Sequence, residues 1–195
     1  MEILMKKRMF IALDILDTDK VKIAQWREQH LPLPFKPIDR QNFHITLAFL
    51  GFIAPQQQAS VAQLISQQHS FIQQRLKPLI QQNKALSIVL SQLGYFKKAQ
   101  VLHLMPVSCS DWLIYLQRTV VELSLNSNIA LENSRYQPHL SLYRKAKISL
   151  PALCKNLQKT IFNQQLSITS FSLYHSYSTA LGVRYEPVQT WKIKF

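Results

Sequence analysis

The feature that most limits what this chain can become is a short pattern that occurs twice. It reads His44-Ile45-Thr46-Leu47 and then His139-Leu140-Ser141-Leu142. Each copy is a histidine, an apolar residue, a hydroxyl residue and an apolar residue. That alternation has the period of an extended strand, in which residues two apart share a face and lie about 6.5 Å apart. Each histidine should therefore stand beside its hydroxyl residue, with Ile45, Leu47, Leu140 and Leu142 turned to a core. With one copy in each half of the chain, a pseudo-twofold arrangement brings both polar pairs to one cleft.

The segments around the motifs supply a mixed framework. Residues 9 to 16 are apolar apart from Asp14 and read as a buried strand. Asp17 or Thr18 can then cap a helix with Ile23, Trp26, Arg27 and His30 on one face. "LPLPFKP" at 31 to 37 cannot be helical, because its prolines break the hydrogen-bond ladder. Val61, Leu64, Ile65, Ile72, Leu76 and Leu79 recur at helical spacing through a Gln-rich stretch, which makes a solvated helix face. Strands are expected at 85 to 93 and 100 to 105, as a hairpin turning at Gly94 to Ala99. Ser108 and Asp111 suggest a capping box for a helix carrying Leu113, Leu116, Val120 and Leu123. Residues 165 to 175 and 184 to 194 read as two last strands. The expected class is α+β. No linker divides the halves, so residues 1 to 195 are read as a single domain of two lobes.

Charge narrows the partners. Lys and Arg number 23 against 10 Asp and Glu, a net charge of +13 that favours a polyanion such as nucleic acid. The chain has only 3 Gly and no glycine-rich nucleotide loop. It also lacks an H-E-x-x-H zinc motif and a G-x-S-x-G nucleophile elbow. Cys109 and Cys154 have no metal-ligand spacing and fit small buried residues of a reducing compartment. No apolar run approaches the roughly 18 residues of a membrane helix. A cytoplasmic protein, with no membrane partner, is the expectation.

Two histidines facing one phosphate have a definite chemical use. With an unperturbed pKa of about 6.5, one can act as base while the other acts as acid near neutrality. Neighbouring hydroxyls can donate hydrogen bonds to the non-bridging phosphate oxygens. That scheme needs no metal and no cofactor. Of the other histidines, His30 and His69 are expected at the surface. His103 and His175 are strand residues that reach substrate only if their faces line the cleft.

The paired motifs resemble the two-histidine phosphoesterase superfamily, in particular its 2′-5′ RNA ligase-like branch of RNA 2′,3′-cyclic phosphodiesterases. "RMFIALDI" (8 to 15), "NFHITLAFLG" (42 to 51), "PHLSLYR" (138 to 144) and "GVRYEPVQTW" (182 to 191) are similar to that branch's segments, in the same order. The resemblance implies a bilobal fold with antiparallel sheets lining a central cleft, helices outside, and a monomer. It implies hydrolysis of RNA or nucleotides with 2′,3′-cyclic phosphate ends to 2′-phosphates, with reverse 2′-5′ ligation possible. His44 and His139 match the catalytic histidines, and Thr46 and Ser141 the phosphate-binding hydroxyls. Phe49 matches a base-packing aromatic and Arg144 a phosphate-side arginine. Both lie five residues after their histidine, so strict alternation turns them away from the site unless a bulge intervenes. Tyr143 stands where a small residue is usual and shares the His139 face by alternation, as a candidate to pack a base or wall the cleft. The rival reading is a non-catalytic RNA-binding module that uses "YFKK" (95 to 98) and "LYRK" (142 to 145).

Overall fold

The computed structural model describes residues 5–80, 86–132, 135–147, 149, 163–180 and 182–194. Cys154 and the first residue of the strand expected at 85 lie outside them. In order, the elements are β1 (Lys7–Asp14), α1 (Asp17–His30), a two-residue β2 (Lys36–Pro37), β3 (His44–Ile53), α2 (Pro55–Leu76) and β4 (Ser87–Leu90). There follow β5 (Gln92–Phe96), β6 (Val101–Met105), α3 (Asp111–Asn126), β7 (Leu140–Arg144), β8 (Gln164–Ser167), β9 (Ser170–Thr179) and β10 (Gly182–Lys192). The strand pairs are antiparallel. Two four-stranded sheets form, β10-β9-β1-β3 and β2-β7-β6-β5, beside a β4-β8 ribbon. The class is α+β, and each large sheet holds one of the two motifs.

The first strand shows why the sheets sit as they do. Met9 to Leu13 are all buried, and β1 is paired on both sides, by β3 and β9. A strand covered on both faces reads as a continuous apolar run rather than an alternation. One continuous cluster of buried side chains joins this strand to Leu140 and Leu142 of the other sheet. Helix α3 packs on β3 and α2, and α2 reaches β10, where Trp191 Nε1 donates to Ser66 Oγ at 2.9 Å. The two sheets approach each other at β3 and β7.

Several local expectations are corrected. Helix α1 starts at Asp17 with Leu16 at its N-cap and no side-chain cap. Asp17 and Asp19 lie in its first turn, where their charge favours the positive end of the helix dipole. Ser110, not Ser108, precedes α3, and its side chain makes no capping bond. The expected 85–93 strand is split into β4 and β5, and the 165–175 strand into β8 and β9. Gly94 lies inside β5 rather than in the hairpin turn, opposite His103. His30 is exposed, but His69 is only half-exposed, with a buried Nε2 that finds no partner. Among the described residues no helix is long and apolar enough to cross a membrane.

Candidate active site

The two motifs share an irregularity that alternation alone does not reveal. In the first, Ala12 pairs with Thr46 and Ile11 with Ala48, so Leu47 is an extra residue in β3. In the second, His103 pairs with Ser141 and Leu102 with Tyr143, so Leu142 is an extra residue in β7. Both bulges thus fall immediately after the hydroxyl residue. Each shifts the strand's phase by one, so the residue five after the histidine returns towards the histidine's side. The burial sequence is the same in both copies: histidine half-buried, apolar buried, hydroxyl half-buried, two buried, then one exposed. The final exposed residue is Phe49 in one copy and Arg144 in the other.

This phase shift corrects the expectation for Tyr143. It is turned into the core at 4% exposure, and its hydroxyl donates to the Leu31 carbonyl at 2.7 Å. It occupies the place that Ala48 holds in the first motif and is not free to pack a base. Beside it lies the buried Arg27, with its guanidinium 5.5 Å from the Phe43 ring and 5.6 Å from the Tyr143 ring. Arg27 Nη1 donates to the Ile38 carbonyl at 2.6 Å and to that of Leu142, the bulge residue, at 3.4 Å. Arginine therefore ties the approach to His44 to the bulge that follows Ser141.

Both motif histidines are held in one tautomer by the same device. His44 Nδ1 lies 2.6 Å from the Asn42 carbonyl oxygen, and His139 Nδ1 lies 2.8 Å from that of Gln137. A carbonyl oxygen only accepts, so each Nδ1 carries a proton and donates it. Nε2 of each ring is left as the atom that can take or give a proton. The Asn42 carbonyl is itself anchored, because Asn42 Nδ2 donates to the Val183 carbonyl at 2.8 Å. Nearby, Arg184 is ion-paired with Asp39.

Charge and burial set the resting protonation. Burial pulls the pKa of His44 down to about 4; the positive charges of His139, Arg144 and Lys20 add to this, and the Asn42 bond opposes it. Burial likewise lowers the pKa of His139, helped by Arg144 and opposed by the Gln137 carbonyl. Arg144 is thus felt at both rings. Its Nη2 donates to the Tyr185 hydroxyl at 3.0 Å, and Tyr185 stands edge-on to His44 at 5.1 Å. The ion pairs among the described residues do not involve Arg144, so its charge is available to an anion.

Aromatic rings wall the first histidine. Phe10 lies 4.8 Å from His44 and stacks on Phe49 at 5.9 Å and on Tyr174 at 5.1 Å. Phe49 is 52% exposed and carries the Arg8 guanidinium 5.3 Å from its centroid. Tyr174 is fixed by Asp14, which also accepts from Ser170 and Ser172. Burial and the Asp14 charge push the Tyr174 phenol well above its ordinary range. Of this wall the motifs announced only Phe49, although Asp14 is the sole polar residue in the apolar run from 9 to 16.

On the other side His103 stands against His139 at 5.1 Å and stacks on Phe96 at 4.1 Å. Burial, then the His139 charge, lower its pKa to about 4. Its ring fits only because residue 94 is glycine: a Cβ there would lie 2.3 Å from His103 Nε2. His175 is placed elsewhere, since it alternates with Tyr174 along β9 and pairs with Met9 rather than Phe10. Among the described residues no group of three or more His, Cys, Asp or Glu side chains could hold a metal ion.

Fold and site together define an α+β protein with a duplicated histidine–hydroxyl site, each copy set on a bulged strand. The family model of the 2′-5′ RNA ligase superfamily matches residues 16–179, and the chain belongs to that family. It is 24% identical over 188 residues to an RNA 2′,3′-cyclic phosphodiesterase of Escherichia coli (strain K12), covering 96% of this chain and 97% of that protein. A protein of the same name from Methanocaldococcus jannaschii is 24% identical over 196 residues, covering 94% and 99%. The crystal structure of E. coli LigT with 3′-AMP superposes with a TM-score of 0.75 at 25% identity, covering 97% of this chain and 99% of that one.

Proposed function

We propose that this protein hydrolyses RNA 2′,3′-cyclic phosphate ends to 2′-phosphates, by acid–base catalysis between His44 and His139 without a metal. The observation that carries the reading is the matched pair of histidines, each with Nδ1 donated to a carbonyl and Nε2 left to react. The names of the relatives support the substrate class. His139 Nε2 removes a proton from a water that attacks phosphorus in line. The new P–O bond forms as the P–O3′ bond breaks, and His44 Nε2–H protonates the departing O3′. Thr46 and Ser141 donate to the non-bridging oxygens, and Arg144 balances their charge.

The electrostatics support this division of labour. A group with a strongly depressed pKa is the stronger acid once protonated, and His44 is the ring pulled to about 4. The anionic substrate supplies the field that charges it. An RNA 5′-hydroxyl in place of the attacking water would open the cyclic phosphate by the same steps, its oxygen bonding to phosphorus as the P–O3′ bond breaks, which is 2′-5′ ligation. Phe49 is read as the base-packing surface. The reading takes residues 1–195 as one bilobal domain, acting as a monomer in the cytoplasm.

The test incubates the protein with an oligonucleotide ending in a 2′,3′-cyclic phosphate, in EDTA, and resolves 2′- from 3′-phosphate by chromatography. The 2′-phosphate is expected, and His44→Ala and His139→Ala should each lose about 10²- to 10⁴-fold in kcat while staying folded. Full activity in either variant, or loss of activity in EDTA, would overturn the mechanism. Binding of the oligonucleotide with no turnover would favour a non-catalytic RNA-binding module.

A further inference from the structure

The site accounts for a cyclic phosphate end but uses little of the charge around it. Lys97 and Lys98 are exposed in the turn between β5 and β6, and Lys145 and Lys147 are exposed just after β7. Two hydrogen bonds fasten these segments together: Ala146 N donates to the Gln100 carbonyl at 3.0 Å, and the Tyr95 hydroxyl donates to the Ala146 carbonyl at 2.5 Å. The lysines therefore form one ridge. Its two ends touch the site, since Phe96 meets His139 edge-on at 4.7 Å and Arg144 immediately precedes Lys145. Lys36, also exposed, pairs with Arg144 across β2 and β7.

The stretches of sequence that carry the Lys97, Lys98, Lys145 and Lys147 ridge hold no acidic residue. The chain has no Asp or Glu between Asp39 and Asp111, and none between Glu132 and Glu186. The ion pairs among the described residues involve none of these lysines. A merely solvated surface intersperses both signs. An acid-free run that begins at a phosphate site, with the half-buried Phe96 at its root, has instead the composition of a single-strand track.

We propose that the β5–β6 turn and the segment after β7 bind backbone phosphates of the RNA strand leading to the cyclic end, so that the preferred substrate is an oligonucleotide rather than a cyclic mononucleotide. The proposal rests on the reading of the site as a cyclic phosphodiesterase and names what else of the substrate is held.

The experiment measures kcat/KM for a cyclic-phosphate-ended oligonucleotide and for a 2′,3′-cyclic mononucleotide, across salt, in the native protein and in Lys97→Glu/Lys98→Glu/Lys147→Glu. The native protein should prefer the oligonucleotide by at least about tenfold at low salt, chiefly through KM. The triple variant should lose that preference, keep mononucleotide turnover within about twofold, and flatten the log–log salt slope by about 2, at about 0.7 per lost phosphate contact. Equal kcat/KM for the two substrates in the native protein, or a variant that still prefers the oligonucleotide, overturns the ridge and leaves the hydrolytic reading standing. If neither substrate turns over, the hydrolytic reading fails, and the ridge is judged by fluorescence anisotropy of the same oligonucleotide with a 3′-hydroxyl. About tenfold weaker binding by the variant then supports it, and equal binding overturns it. Lysine-dependent binding to phosphatidylglycerol vesicles, with RNA binding unaffected by the variant, also overturns it.

Discussion

At the scale of single residues, the two histidines make a prediction about pH. In the proposed mechanism the reactive form carries one proton shared over two imidazoles, and both are depressed in the free protein: His44 to about 4, His139 below its ordinary value. Such coupled groups titrate as a pair. kcat/KM, which reports the free enzyme, should therefore peak on the acid side of neutrality and fall about tenfold per pH unit above the peak. The kcat profile should peak at higher pH, because the bound phosphate anion raises both values. Superimposable kcat and kcat/KM profiles centred above pH 7 would contradict this account. Asn42 belongs to the same scale as a positioning residue: Asn42→Ala should lower kcat about tenfold with KM little changed, since it frees the carbonyl that orients His44. The histidines and hydroxyls were legible in the sequence because both sit on a period of two. The carbonyls that fix their tautomer were not, since every residue has one and only the fold selects which is met.

At the scale of elements, the bulges decide which side chains serve the site. The alternation of "HITL" and "HLSL" was readable as strand, but an extra residue at Leu47 or Leu142 leaves no mark in an apolar sequence. That is why Tyr143 read as a cleft residue and lies in the core, and why Arg144 read as turned away and reaches Tyr185. Tyr143→Phe should then cost about 1–3 kcal/mol of stability, by leaving the Leu31 carbonyl without its donor. KM should not change. Urea unfolding at constant m-value and steady-state kinetics check both halves, and a raised KM with unchanged stability would return Tyr143 to the cleft. Gly94 was misread for a related reason. Glycine commonly marks a turn, but here it marks a close approach, with the His103 ring lying where a Cβ would be.

At the scale of the whole molecule, the imidazoles held neutral couple folding to acidity. His44 and His103 have folded pKa values of about 4 against about 6.5 when unfolded. Between those limits the unfolded chain binds the more protons, so stability is full above pH 6.5 and is lost as pH falls towards 4. For His103, only 2% exposed, the shift corresponds to about 3 kcal/mol. Each added proton also enlarges a net charge that is already +13 at neutrality. The Asp39 carboxyl does not confuse the window: the hydrogen bond from Arg184 holds it below the usual carboxylate range, so its contribution is lost only at lower pH. Urea midpoints taken from pH 7.5 to 4.5 should fall steadily in the native protein. His103→Gln should start lower at pH 7.5, having lost its stacking on Phe96, yet fall less steeply over the same range. Parallel curves for the two proteins would mean that His103 takes up its proton equally in the folded and unfolded states, and would remove it as the acid-labile point.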